Sequence, residues 1–318
     1  MADYSDPSHD SSARLRRPGS SGKLLTSLSI GPYLIEKEIA RGTGSIVYRG
    51  LAPQTPEKPR ERVVVKVRLP EKETVAQLIE HTKLEAQFHQ LVCPHPHLLP
   101  LAGWGEDKDQ VYIAFPYIDG IHLDHPSISV LLGKRGIMRL MGKLARTLHH
   151  LHTKGLVHRD VKPANIMVHR SGEPFLIDLG QCWKRGDKSA DGGQHIVGAA
   201  AYMSPEQGRG EEEKLNGATD LYSLGVVLFE ALTGRVPFVA ETPWKTIQLA
   251  VNTPPPLPRE LNSEITEEQE RVILSCMEKD PALRYSSGEE LAKDLDRLAD
   301  QLPIQGPSTS IFRRIFRS

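Results

Sequence analysis

Short apolar runs follow one another in the first part of the chain after residue 30. Four of them are rich in Val, Ile and Tyr, and turns rich in Gly and Pro or a helical stretch separate them, as is typical of β-strands. Between the third and fourth runs, the apolar residues of 71–92 recur near helical spacing. The pattern predicts a small sheet-based lobe with one main helix. The strand-like runs are 33–39, 45–49, 62–68 and 111–115.

Beyond Gly120 the apolar residues recur at intervals of three and four, which is the spacing of one face of a helix. Residues 252–258, with the sequence NTPPPLP, interrupt this pattern and predict a loop, because proline lacks the N–H that a helix needs. The fold class is therefore expected to be α+β and bilobed, with a small antiparallel sheet lobe and a larger, mostly helical lobe. The predicted helices cover 137–151, 220–233 and 287–302.

Composition suggests where the folded unit begins and ends. Residues 1–29 are rich in Ser, Asp, Gly and Arg and predict a disordered tail, while 303–318 form a basic tail. In the octapeptide 311–318, a helix would separate apolar residues from arginines. Two interpretations stay open for it: weak contact with an anionic membrane or a partner, and a frayed end. The predicted folded unit is 30–302, with the small lobe at about 30–116, a hinge at 117–120 and the large lobe at 121–302.

Charge and cysteine content narrow the function classes. The chain has 40 Lys and Arg against 40 Asp and Glu, which argues against a global basic surface for nucleic acid. Its 3 cysteines are too few for a disulfide framework and favour a reducing compartment. No apolar leader is evident, and no apolar run approaches the roughly 20 residues of a membrane span. We expect a cytoplasmic protein.

Two segments carry the most specific chemistry. They are 158–168, HRDVKPANIMV, and 176–180, LIDLG. In the first, Asp160 offers a carboxylate that accepts a hydroxyl proton, and Lys162 offsets charge on a moving phosphoryl group. Asn165 and Asp178 offer hard oxygen ligands to a Mg²⁺ ion that bridges nucleotide phosphates. The joint pattern predicts phosphoryl transfer.

This motif set resembles that of the eukaryotic-like, or Hanks-type, serine/threonine protein kinases, over about residues 33–300. The resemblance implies that Asp160 is the catalytic base and Lys162 the phosphate-contacting lysine. Asn165 and Asp178 would be the metal ligands, with Mn²⁺ as an alternative to Mg²⁺. It also implies ATP as the phosphoryl donor and protein serines or threonines as acceptors.

The same resemblance implies a set of nucleotide-binding residues. Lys66, in the strand VVVKV, matches the lysine that pairs with the nucleotide phosphates, and Glu85 on the predicted helix matches its ion-pair partner. Other matches are structural: Arg284 would pair with Glu206, and Asp220 would hold the backbone of the catalytic loop. The remaining nucleotide-binding positions are Ala40, Gly42, Ser45, Val47, Val64, Phe115, Pro116, Ile118 and Met167.

The structural matches argue against an aminoglycoside- or choline-kinase relative, which shares only the catalytic loop and the metal aspartate. The sequence after Glu206 resembles bacterial more than animal kinases.

Three departures from the family pattern leave alternatives open. Of the three family glycines in the phosphate-covering loop, only Gly42 remains, since Ala40 and Ser45 replace the others. Ala199 replaces a threonine whose hydroxyl contacts the catalytic residues in Ser/Thr kinases. Ser189 is the only hydroxyl between Gly180 and Tyr202, so activation proceeds either through its phosphorylation or without a phosphate. A non-catalytic kinase-fold scaffold and a small-molecule phosphotransferase are the competing functions.

Overall fold

The strand-like runs after residue 30 form one antiparallel sheet in the computed structural model, which describes residues 28–42, 44–54, 59–70, 73–184 and 200–307. The sheet has six strands in the order β1-β2-β3-β4-β6-β5. All four predicted strands are confirmed. The strands are β1 Ser29–Ile30, β2 Tyr33–Arg41, β3 Ser45–Leu51, β4 Arg62–Arg68, β5 Gly103–Asp107 and β6 Gln110–Pro116.

Alternation along β4 divides the sheet into two faces. Val63, Val65 and Val67 point to one face and are buried with side chains of β2 and β6. Lys66 therefore points to the opposite face, because successive side chains of a strand alternate. That face lies toward α1, Val75–Val92, which follows β4 in the chain. Helix α1 starts at Val75 because Thr74 caps it in a capping box with Gln77.

The second lobe is mostly helical, as predicted. Its longest helix, α2, breaks at Gly133, where φ is 59° and ψ is 177°. Strands β8 and β11 form a two-stranded sheet, and β7, β9 and β10 form a three-stranded sheet in the order β10-β9-β7. The strands are β7 Gly120–His122, β8 Leu156–Val157, β9 Ile166–His169, β10 Pro174–Leu176 and β11 Trp183–Lys184. The helices are α2 Ile128–Thr153, α3 Pro205–Arg209, α4 Gly217–Thr233, α5 Pro243–Asn252, α6 Pro258–Leu261, α7 Glu267–Cys276 and α8 Gly288–Ala299.

Most of the apolar core lies between α2, α4, α7 and α8 in this second lobe. Helix α4 is buried along most of its length and ends at Gly234, whose φ of 78° is the left-handed conformation that glycine adopts without strain. The segment after α8 also packs on this lobe, because the backbone N–H groups of Gln305 and Gly306 donate to the carboxylate of Asp294. No helix within the described ranges has both the length and the hydropathy to cross a membrane.

Helices α2 and α8 approach so closely that one contact requires glycine. A Cβ atom at Gly288 would lie 2.1 Å from the carbonyl oxygen of Ala145 on α2. We expect Gly288→Ala to destabilise the fold by about 1–3 kcal/mol, the usual cost of overpacking a core, even though alanine favours helices. The measurement is the urea midpoint. Gly44→Ala is the control, since its Cβ would meet no described atom within 4 Å. Equal midpoints for the two variants would contradict the prediction.

Several predictions concern residues outside the described ranges. They are the tail up to residue 27, the octapeptide 311–318, and the activation positions Ser189 and Ala199.

Candidate active site

The loop between β8 and β9 brings two of the predicted side chains, those of Lys162 and Asn165, to the carboxylate of a third, Asp160. Lys162 Nζ lies 2.8 Å from Asp160 Oδ1 and 2.7 Å from Oδ2. The side-chain amide of Asn165 donates to the carbonyl oxygen of Asp160 at 2.8 Å and to its Oδ2 at 2.7 Å. The Asp160 side chain remains 15% exposed. The carboxylate is thus fixed from two sides and still accessible from a third.

A buried aspartate on α4 holds the backbone of this loop. Asp220 accepts hydrogen bonds from the N–H groups of His158 and Arg159, each at 2.8 Å, and from His152 Nε2 at 2.8 Å. Arg159 has a φ of 64°, a conformation that costs about 1–3 kcal/mol for most side chains and persists only where neighbours enforce it. Burial would raise the pKa of Asp220, but its hydrogen bonds and the histidines lower it. The predicted structural role of Asp220 is confirmed.

The β9–β10 hairpin places Asp178 beside Asn165. Asn165 precedes β9 and Asp178 follows β10, and the N–H of Ile177 donates to the carbonyl oxygen of Asn165 at 2.9 Å. The Asp178 carboxylate accepts from Lys66 Nζ at 2.7 Å and from the N–H of Gly180 at 3.1 Å. Burial opposes the charge of Asp178, but Lys66 outweighs it and holds the pKa of this carboxyl below its usual range. Both charges are therefore fully developed at neutral pH.

The ion pair predicted between Lys66 and Glu85 is wrong for this structure. Lys66 pairs with Asp178 instead, and Glu85 Oε2 accepts from Arg68 Nη2. Arg68 lies two residues after Lys66 on β4, so both side chains point to the face that α1 covers. Two cations, Lys66 and Arg68, therefore lie on the face toward Glu85, and Glu85 pairs with Arg68. The family motif contains only the lysine.

The predicted adenine-enclosing residues line the same region. In the strand register Val47 lies opposite Lys66, and Val64 lies opposite Phe115. Phe115 and Ile118 pack in one apolar cluster with Met167, which reaches it from β9 in the other lobe. This cluster contains side chains from both lobes and continues the sheet face that carries Lys66.

The loop that the sequence predicts to cover the phosphates is the hairpin between β2 and β3. Ala40 lies opposite Val47, and the N–H of Gly42 donates to the carbonyl oxygen of Ser45 at 2.9 Å. Among the described residues, the nearest atom to a Cβ at Gly42 is the carbonyl oxygen of Ser45, at 3.9 Å. Position 42 therefore has room for a small side chain.

Residues 33–295 match the protein kinase domain model. The chain belongs to the protein kinase family. The match spans both lobes and includes every predicted site residue.

The kinase domain is similar to serine/threonine-protein kinases of several bacteria. It is 36% identical over 218 residues to a probable serine/threonine-protein kinase of Streptomyces coelicolor, covering 66% of this chain and 32% of that protein. It is 32% identical over 216 residues to PknB of Mycolicibacterium smegmatis (64% and 33%) and 30% identical over 207 residues to PrkC of Bacillus subtilis (65% and 32%). The aligned part spans about a third of the length of these relatives.

The kinase domain presents donors that suit a hard divalent cation. Asp178 supplies a carboxylate, and the amide of Asn165 directs its nitrogen to Asp160, which leaves its oxygen Oδ1 for a cation. Carboxylate and amide oxygens are the ligands that Mg²⁺ takes in phosphoryl-transfer sites. The donor set fits the metal that the family uses.

A buried ion pair in the second lobe connects α3 with the segment between α7 and α8. Arg284 donates to both oxygens of Glu206, from Nη1 and Nη2 at 2.8 Å each, and both side chains are 0% exposed. Burial opposes the charge of Glu206, but the Arg284 hydrogen bonds lower its pKa. Gln207, the next residue, donates to the carbonyl oxygen of Arg159 at 3.0 Å. The pair predicted from the resemblance is confirmed, and it supports the strained catalytic loop.

Proposed function

We propose that this protein is a serine/threonine protein kinase that transfers the γ-phosphate of ATP to hydroxyl groups of protein substrates. One observation carries the proposal: Asp160, held between Lys162 and Asn165, occupies the loop beside the Asp178–Lys66 ion pair. A proton acceptor, a cation for the phosphoryl group and oxygen donors for a metal are the parts that this transfer requires.

Each residue performs a separate task in the proposed reaction. Asp160 accepts a hydrogen bond from the acceptor hydroxyl, orients it and takes its proton as the hydroxyl oxygen bonds to the γ-phosphorus. The bond between that phosphorus and the bridging oxygen to the β-phosphate breaks, and ADP leaves. Lys162 shields the developing charge on the phosphoryl oxygens, since its ammonium already lies against Asp160. Lys66 binds the nucleotide phosphates, and Asn165 with Asp178 would hold Mg²⁺. That ion, when bound, neutralises charge on the β- and γ-phosphates.

The nucleotide-binding residues complete the proposal. Val47, Val64 and Met167 would enclose the adenine ring, with the backbone of Pro116 and Ile118 as its hydrogen-bonding partners. Ala40, Gly42 and Ser45 would cover the phosphates. The protein would act in the cytoplasm as a signalling enzyme, with protein substrates as its partners.

Labelled ATP distinguishes this function from its two competitors. The protein is incubated with Mg²⁺ and ATP labelled at the γ-phosphate, in parallel with Asp178→Ala. We expect label in protein serine or threonine for the parent chain and none above background for Asp178→Ala. Nucleotide binding without any transfer would favour the scaffold, and label found only in small acceptors would favour a small-molecule phosphotransferase.

A further inference from the structure

The charged residues behind the proposed ATP site form a four-membered cluster. Lys66 and Arg68 come from β4, Glu85 from α1, and Asp178 from the segment after β10. Three of them, Arg68, Glu85 and Asp178, approach Gly180. A Cβ atom there would lie 3.0 Å from Asp178 Oδ1 and 3.3 Å from both Arg68 Nη2 and Glu85 Oε2. Two cations and two carboxylates thus share one small volume.

Glu85 is the buried centre of this cluster and uses only one of its oxygens. Its side chain is 0% exposed, and Arg68, 16% exposed, binds Oε2. Within the described part of the chain, Glu85 Oε1 has no hydrogen-bond partner, nor has Arg68 Nε. Burying a carboxylate oxygen that accepts no hydrogen bond costs free energy, so Oε1 is an acceptor available to a further donor.

Lys66 belongs to the same cluster and can donate a hydrogen bond to Glu85 Oε1. Lys66 Nζ lies 2.7 Å from Asp178, and the carboxylates of Asp178 and Glu85 both approach Gly180, so the ammonium and Glu85 belong to the same cluster. Lys66 pairs with Asp178 in this structure. Once Asp178 serves as a metal ligand, Lys66 can turn to Oε1 while Arg68 keeps Oε2.

We propose that Arg68 is a positioning residue that anchors Glu85, and through it helix α1, while Lys66 is paired with Asp178. Arg68 binds Oε2 and leaves Oε1 for Lys66, so Arg68 would prepare Glu85 for Lys66 instead of competing with it. The proposal rests on the proposed kinase function for the role of Lys66, but the anchoring of α1 stands on the contacts alone.

Hydrogen exchange of α1 in the nucleotide-free protein tests the anchor without any catalysis. Without Arg68, Glu85 loses a charge-assisted hydrogen bond in a buried site, so we expect Arg68→Met to speed exchange across α1 by about tenfold or more. Arg68→Lys should restore part of the protection. Arg62→Met, at an exposed arginine of the same strand, is the matched control and should leave exchange unchanged. Unchanged α1 exchange in Arg68→Met, or an increase spread evenly over the chain, would overturn the proposal.

A double-mutant cycle tests whether Arg68 acts through Glu85. Glu85→Gln should loosen α1 on its own, and adding Arg68→Met to it should change the exchange rates little further. If Arg68→Met accelerates exchange as much in the Glu85→Gln background as in the parent, the contact does not carry the effect and the proposal fails.

The ATP dependence separates an anchor from a competitor. If Arg68 prepares Glu85, Arg68→Met raises the KM for ATP more than it lowers kcat. A lower KM or a faster turnover in Arg68→Met would show that Arg68 withholds Glu85 from Lys66 and would overturn the proposal. If Arg68→Met speeds exchange in α1 but the parent chain transfers no phosphate, the anchoring proposal stands and the proposed function is refuted.

Discussion

Asp160→Asn is expected to reduce phosphoryl transfer by about 10²–10⁴-fold, the range that a positioned general base contributes. The amide keeps the size of the carboxylate but accepts no proton, and it offers Lys162 a neutral partner in place of a charged one. Because Asp160 pairs with Lys162 while Asp178 pairs with Lys66, the affinity for Mg²⁺ and ATP should change little. The measurement compares kcat with the dissociation constant of ATP in the two proteins.

The matched control for Asp160→Asn is Asp119→Asn, in the predicted hinge. Asp119 is a surface residue whose side chain pairs with Arg170 at 3.2 Å and is 63% exposed. It should leave both kcat and ATP affinity unchanged. Comparable losses in the two variants, or retention of activity in Asp160→Asn, would show that Asp160 is not the base.

Arg284→Met is expected to destabilise the fold by about 3–5 kcal/mol, the cost of leaving the other member of a buried ion pair without its partner. Arg284 also donates to the carbonyl oxygens of Ala218 and Glu278, at 2.9 and 2.8 Å. Its replacement therefore leaves these oxygens without that donor as well. The urea midpoint measures the effect. Lys245→Met, which breaks an exposed pair with Glu241, should leave the midpoint unchanged.

The double variant Glu206→Gln with Arg284→Met separates the pair from its surroundings. It removes the uncompensated carboxylate, so its loss of stability should be smaller than the sum of the two single losses. Additive losses would mean that the two side chains contribute independently and would contradict a coupled pair.

The same pair predicts a dependence on pH. The folded pKa of Glu206 is lower than its unfolded value, so its contribution is present above the unfolded pKa, about 4.3, and is lost as pH falls below it. In Arg284→Met the opposing effect of burial prevails and raises the pKa of Glu206. We therefore expect the parent to lose more stability than Arg284→Met between about pH 5 and pH 3.

Local patterns predicted most of the fold. The Val-rich alternation of β4 and the helical spacing of α2 and α4 gave elements of the right type, because their burial follows directly from periodicity. Strand β5 was missed because its sequence, GWGED, has two glycines and two acids and no β-branched residue. It is a strand because it pairs with β6, a tertiary interaction that its own residues do not reveal.

The sequence predicted which side chains of the candidate site lie together, but not all of their ion-pair partners. Loop spacing alone grouped Asp160, Lys162 and Asn165, and the structure brings them into contact. The partner of Glu85 was mispredicted because the motif contains one lysine and says nothing about Arg68. The signal was present in β4 all the same: a charged residue two positions after Lys66 must point to the same face.

The phosphoamino acids formed in a protein acceptor test the central claim most directly. The acceptor is incubated with Mg²⁺ and ATP and either the parent chain or Asp160→Asn, and its phosphoserine and phosphothreonine are quantified. We expect phosphoserine, phosphothreonine or both with the parent chain, and about 10²–10⁴-fold less of them with Asp160→Asn. Consumption of ATP without phosphoamino acids, or equal phosphorylation by the two proteins, would contradict it.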